Sequence, residues 1–268
     1  MSTMNDPSLQ KPVVLVLSGH DPSGGAGIQA DIESLAAHGC IATSVITSLT
    51  AQNTQSFSHH TPQAVEDFLT QGKLILEDIK IDACKIGAIG SPELIRAIHE
   101  TIVDQTFSVI LDPVLHSTNG HNFADEEMRT LLCELILPLA TVITPNSDEA
   151  TQLTGELDPQ QAADKFHQIG CKNILITDAE KSETEVVNHL YQEDGQTQTF
   201  TYERLSGNFH GSGCTLASAI SANLAKNIAL IPAIEQAQEY TWNSLKHGLQ
   251  LGKGQMHPNR FFKHIEIE

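Results

Sequence analysis

Short apolar, β-branched runs alternate along this chain with longer stretches in which apolar positions recur at helical spacing. VVLVL (13–17) reads as a buried strand, followed by a glycine-rich loop and a helical pattern from Ala26 to His38. IATSVITSLT (41–50) precedes a helical pattern from Pro62 to Asp78. IDACKI leads into SPELIRAIHETIVD, where Ser91 is placed to cap a helix, Pro92 to open it and Glu93 to face its positive end. FSVILD, TVIT and NILIT supply further short strands, each flanked by a helical segment. The alternation predicts an α/β fold with a mostly parallel central sheet and helices on both faces.

EVVNHLYQEDGQTQTFTYERL breaks that rhythm and reads as two polar-alternating strands around Asp194-Gly195, a β-hairpin. Helices over 213–226 and 232–250 follow. With no repeat, low-complexity stretch or linker, one domain over 13–268 is expected, after a loosely ordered tail at 1–12.

Composition narrows the chemistry. A chain of 268 residues with a net charge of −18 and only 15 Lys and Arg is a poor match for nucleic acid, so any phosphate it handles must be held locally by backbone amides or a metal. The polar start, MSTMNDPSLQKP, lacks a basic n-region, and VVLVL stops at Ser18-Gly19; neither a signal peptide nor a membrane span is expected. The five cysteines, Cys40, Cys84, Cys133, Cys171 and Cys214, are scattered and form no C-x-x-C pair, which suits a reducing cytoplasm better than a disulfide or zinc framework.

In open parallel sheets ligands sit outside the carboxyl ends of the strands, so the loops there carry the candidates. SGHDPSGGAGIQAD (18–31) contains Gly25-x-Gly27-x-x-Ala30, a formal but loose fit to a dinucleotide fingerprint, since SVITSLTAQN offers no acidic residue at the ribose position about 20 residues on. A turn for close helix packing explains the same glycines. LTAQNTQ places Gln52 just past a strand, where its amide matches a ring nitrogen next to an exocyclic amine; a polar loop cap is the plainer reading. Asp112 in LDPVLHSTNG, with Asn146 and Glu149 spaced i, i+3 in TPNSDEA, can share a hydrated Mg²⁺, and the same spacing makes a capping box. In HGSGCTLASAI, Gly211-Ser212-Gly213 opens a helix whose free amides suit an anion. The helix dipole there is expected to lower the pKa of the Cys214 thiol, although a small buried cysteine can also simply pack.

Together SGHDPSGGAGIQAD, SVITSLTAQNTQ, KIG (85–87), LDPV, ITPNSDEA and HGSGCTLASAI resemble the ordered motifs of the hydroxymethylpyrimidine/phosphomethylpyrimidine kinases of thiamine biosynthesis, in the ribokinase superfamily. The resemblance spans about residues 13–226 and implies a ribokinase-like three-layer α/β/α sandwich, usually a cytoplasmic homodimer, using ATP and Mg²⁺. It implies that Gln52, Gly19, Asp31, Val114 and Ala88 surround the pyrimidine, and that Gly211, Ser212 and Gly213 form the anion hole. It places Asp112 and Glu149 at Mg²⁺, Asn146 and Thr177 beside the nucleotide, and Cys214 where most ribokinase relatives carry an aspartate base.

Some positions depart from the family. Thr177-Asp178-Ala179-Glu180 stands where Lys-Gly-Gly-His is usual, so two carboxylates are expected near the triphosphate unless Lys181 or Mg²⁺ offsets them. Ala88 replaces a larger apolar residue, LHSTNG lacks the usual small or lysine character, and GKGQMHP keeps part of a glycine-rich closing motif. A vitamin B6 kinase of the pyridoxal type, or a weakly active pyrimidine-binding relative with impaired ATP use, are the alternatives these departures leave.

Overall fold

A computed structural model describes residues 11–116 and 124–264. Its spine is one nine-stranded sheet in the order β3-β2-β1-β4-β5-β6-β7-β8-β9. The strands are β1 (Val13–His20), β2 (Ile41–Gln52), β3 (Phe57–Pro62), β4 (Ala83–Ile86), β5 (Ser108–Leu111), β6 (Val142–Ile143), β7 (Asn173–Ile176), β8 (Glu185–Gln192) and β9 (Thr197–Glu203). From β2 across to β7 neighbouring strands are parallel, and β3, β8 and β9 add antiparallel edges. The helices are α1 (Gly27–Ala37), α2 (Val65–Asp78), α3 (Pro92–Ile102), α4 (Glu126–Leu131), α5 (Ser147–Thr154), α6 (Pro159–Ile169), α7 (Ser212–Ala225) and α8 (Leu230–Lys246).

Alternation along β1 sets the layers. Leu15 and Leu17 pack into a core with Phe68 of α2, Leu94 and Ile98 of α3, and Phe166 of α6. Val14 and Val16 point the other way, against Ile28 and Leu35 of α1, Ala217 and Ile220 of α7, and Ile234 of α8. Strands buried on both faces need continuous apolar runs, and VVLVL is one.

Local signals behave as their chemistry dictates. Ser91 accepts the amide of Leu94 at 3.3 Å, with Pro92 opening α3. The β8–β9 hairpin turns at Gly195, whose φ of +82° suits glycine, and Asp194 accepts the amide of Gln196. The helical pattern expected from Pro62 begins instead at Val65, because Phe57–Pro62 pairs with β2 as an edge strand. The closing helices run over Ser212–Ala225 and Leu230–Lys246. Most of the expected 1–12 tail, and the LHSTNG departure from residue 117 on, lie outside the described residues. Among the described residues no helix is long and apolar enough to cross a membrane.

After β1 the chain places β2 on one side and later β4 on the other, so a crevice opens above the ends of β1 and β4.

Candidate active site

A cavity of about 950 Å³ occupies that crevice and continues across the ends of β5, β6 and β7. Every site residue expected from the sequence lines it except Asp31. Strand order distributes them: Gln52, Gly19 and Ala88 stand at the ends of β2, β1 and β4, then Asp112 and Val114 after β5, and Asn146 and Thr177 after β6 and β7. Gln52 is held by its Nε2, which donates to Thr50 Oγ1 at 2.8 Å.

Asp31 sits on the sheet-facing side of α1 and is wholly buried. Its Oδ1 accepts the hydroxyl of Ser218 at 2.7 Å and lies 2.9 Å from Lys85 Nζ, itself fully enclosed. The acceptor role expected for Asp31 therefore gives way to a structural one in the cavity floor. Burial alone would strip the Lys85 proton; Asp31, with Cys214 and Asp112 adding to the field, holds it on and keeps the ammonium above its ordinary range.

At the start of α7, Gly211 adopts φ +89°, and a Cβ there would overlap the carbonyl of Gly25. The glycine loop Gly24–Gly27 and the GSG turn are thus in backbone-to-backbone contact, which only glycine allows. A Cβ on Gly213 would stand 3.5 Å from an Asp112 carboxylate oxygen, so the first turn of α7 faces Asp112. Cys214 follows, buried at 8% exposure. The expectation of a lowered pKa fails: burial pushes the thiol up to about 12, Lys85 pulls it down less strongly, and Asp112 and Asp31 push it further up. The sequence shows a helix starting at Ser212, but not how completely Cys214 is closed over.

Asn146 and Glu149 do form the capping box, Asn146 Oδ1 accepting the Glu149 amide at 2.9 Å and Glu149 Oε2 accepting that of Asn146 at 3.0 Å. Capping does not exhaust Glu149. Burial and the charge of Asp112 raise its carboxyl to about 8. Asp112 Oδ2 is buried without a hydrogen-bond partner. Among the described residues no three or more His, Cys, Asp and Glu side chains form a metal cage. A hydrated Mg²⁺ needs fewer, taking one or two carboxylates and keeping several waters, and the open oxygen of Asp112 beside Glu149 fits it.

The 177–180 loop differs from the expectation of two carboxylates facing phosphate. Asp178, at φ +50°, lines the cavity but is ion-paired with Arg204, and its amide donates to Asn188 Oδ1 at 2.9 Å. Glu180 points to His189, 3.0 Å away. Arg204 and His189, rather than Lys181, are the pairing groups.

Asp21 in SGHDPSGGAGIQAD and His210 in HGSGCTLASAI form a pair that nothing in either motif announces. His210 Nε2 lies 2.9 Å from Asp21 Oδ2, and Asp21 also accepts the amides of Ser23 and Ala26. Burial pushes the Asp21 carboxyl up, but these hydrogen bonds outweigh it and hold it at about 2. The buried pair ties the glycine loop to the GSG turn in the cavity wall.

The α/β/α sandwich, with a glycine-opened helix start facing a strand-end carboxylate, has the architecture of the ribokinase-like kinases. The family model for phosphomethylpyrimidine kinase matches residues 21–259. A Haemophilus influenzae hydroxymethylpyrimidine/phosphomethylpyrimidine kinase is 34% identical over 251 residues, covering 90% of this chain and 93% of that protein. Among solved structures, an ADP complex of Bacillus subtilis pyridoxal kinase has a TM-score of 0.87 at 28% identity, covering 96% of this chain and all of that one. A Clostridium difficile phosphomethylpyrimidine kinase has a TM-score of 0.76 at 30% identity, covering 88% and 100%. The chain belongs to the phosphomethylpyrimidine kinase family and is a phosphotransferase.

Proposed function

We propose that the protein transfers the γ-phosphoryl group of ATP to the hydroxymethyl oxygen of 4-amino-5-hydroxymethyl-2-methylpyrimidine and then to the phosphate of its monophosphate, the kinase steps of thiamine biosynthesis. The observation that carries this reading is the contact between the first turn of α7 and the Asp112 carboxylate, in a cavity that Gln52 also lines. Gln52 pairs with a ring nitrogen and its neighbouring amine, and orients the acceptor. The amides of Gly211, Ser212 and Gly213 take charge developing on the phosphoryl oxygens. Cys214, a neutral thiol at neutral pH, loses its own proton to water before its thiolate takes the acceptor proton as the new O–P bond forms. A loosely bonded transition state lets that proton leave late, so positioning and charge stabilisation do most of the work. Asp112 and Glu149 would hold Mg²⁺, which supplies charge neutralisation on the phosphates when bound. Asn146 and Thr177 border the nucleotide, and the Arg204 pairing keeps Asp178 from repelling it.

This reading includes a kinase domain over residues 13–268 acting as a cytoplasmic homodimer. A second reading, a vitamin B6 kinase of the pyridoxal type, draws on the pyridoxal kinase fold neighbour and the small Ala88 beside Gly19. Incubating the purified protein with Mg-ATP and either the hydroxymethylpyrimidine or pyridoxal, and following ADP and phosphorylated product, decides between them. Turnover of pyridoxal alone would overturn the main reading.

A further inference from the structure

The guanidinium of Arg260 is shut from solvent, its side chain only 1% exposed, and it sits just past the last residue matched by the family. Its donors are nearly all committed. Nη1 donates to the carbonyl of Gly24 at 3.2 Å, Nη2 to that of Gly25, Nε to Thr215 Oγ1 at 3.1 Å, and Nη1 also reaches Glu33 Oε2 at 3.0 Å. Its own carbonyl accepts the hydroxyl of Tyr240 at 2.8 Å, so the residue is anchored to α8. Gly24 and Gly25 form the glycine loop. Thr215 stands on the first turn of α7 and donates its hydroxyl to Gly211 at 2.8 Å.

Arg260 therefore grips both sides of the contact in which the Gly25 carbonyl presses on Gly211. We propose that Arg260 is a positioning residue for phosphoryl transfer: its planar fork fixes the glycine loop against the GSG turn, and so sets where the anion-hole amides point. It touches no reacting atom. The inference rests on the proposed phosphotransfer reading for its kinetic test and on the geometry alone for its structural one.

The chemistry of the fork makes this specific. A guanidinium presents five N–H donors in one plane and can serve two carbonyls, a hydroxyl and a carboxylate at once, whereas an ammonium is a point charge that meets fewer of them. Arg260→Lys keeps the charge opposite Glu33 but loses the fork. Glu33→Gln loses that charge and keeps the fork. If the residue acted only through its ion pair, Glu33→Gln would be as harmful as Arg260→Lys.

The test measures steady-state kinetics and amide hydrogen exchange on Arg260→Lys, Glu33→Gln, Thr215→Val and Thr215→Ser. A small displacement of positioned groups is costly, so Arg260→Lys should lower kcat about ten- to a hundredfold while the acceptor KM stays near wild type. Exchange at residues 24–27 and 211–214 should speed up in the same variant. Glu33→Gln should keep kcat. Thr215→Val, which cuts the tie from the α7 side and serves if Arg260→Lys does not fold, should lower kcat, and Thr215→Ser should restore it. Wild-type kcat in Arg260→Lys or Thr215→Val, or an equal loss in Glu33→Gln, overturns the proposal. Should the wild-type protein turn over neither acceptor, that failure belongs to the proposed function. Exchange then decides alone: unchanged rates at 24–27 and 211–214 in Arg260→Lys overturn the inference.

Discussion

Lys85 Nζ lies 2.9 Å from Asp31 Oδ1, with neither side chain exposed, so an ion pair forms part of the floor beneath Cys214 and Asp112. Removing one partner of such a pair leaves an unpaired buried charge. Lys85→Met should therefore cost about 3 to 5 kcal/mol of stability, and Lys85→Met combined with Asp31→Leu should be less harmful than Lys85→Met alone. Denaturant unfolding of Lys85→Met, Asp31→Leu and the double variant measures both; an additive double variant would mean that the two charges are not coupled.

Asp21 gives an acid-side prediction. Its carboxyl falls from the ordinary 3.8 to about 2 on folding, so its contribution to stability is present above about pH 4 and lost as the pH drops through about 2. Asp21→Asn should flatten that part of the stability–pH curve. Thermal melts from pH 2 to 5 check it, and parallel curves for the two proteins would count against it.

Glu149 has the opposite sign. Its carboxyl rises from 4.5 to about 8, so the ionised form weighs against the fold increasingly as the pH climbs between those values. Glu149→Gln can still reach back to the Asn146 amide, and should melt at or slightly above the wild-type temperature at pH 7 while losing activity that high Mg²⁺ partly restores. A large drop in melting temperature with unchanged Mg²⁺ dependence would make Glu149 a cap alone.

The pattern in these residues tells what a sequence can carry. Turn chemistry, caps and strand-end motifs are local, and Ser91, Asp194-Gly195, Asn146-x-x-Glu149 and the GSG turn all sit where their neighbours put them. The edge strand β3 was hidden because Phe57–Pro62 is largely exposed and has one partner strand, so it needs no apolar alternation. Asp31, Lys85 and the Asp21–His210 pair were illegible for another reason. Each acquires its role from a group far away in the chain, 189 positions in the case of Asp21 and His210. The acidity of Cys214 turned on enclosure, which the helix dipole does not reveal.

Cys214 should consequently behave as an inert thiol. With its pKa lifted to about 12, it should show no thiolate absorbance up to about pH 10 and resist alkylation in the folded protein. As a base held at about 12, Cys214 works only through its scarce thiolate, so kcat should climb with pH across the neutral range; Cys214→Ala should abolish that climb and lower kcat, with Cys214→Asp retaining more activity than alanine. Wild-type turnover in Cys214→Ala would leave catalysis to the anion hole.

The acidic loop predicts through Arg204. Arg204→Ala frees Asp178 at the cavity wall and should raise the KM for ATP, whereas restoring Lys-Gly-Gly-His at 177–180 should lower it only modestly, since Asp178 is already paired. Initial rates over a range of ATP concentrations measure both effects. An unchanged KM in Arg204→Ala would place the loop away from the phosphates.

The segment after α8 folds back on much earlier parts of the chain: Gln255 donates to the Thr54 carbonyl, Met256 pairs with Phe209, and Arg260 grips Gly24 and Gly25. During translation the strands and α7 leave the ribosome before this segment does. A nascent chain can therefore assemble its sheet while the glycine loop and the GSG turn still lack their clasp, and the site closes only once Arg260 has cleared the exit tunnel. A chain ending just before Arg260 would keep every strand and α1–α8 but lack this clasp.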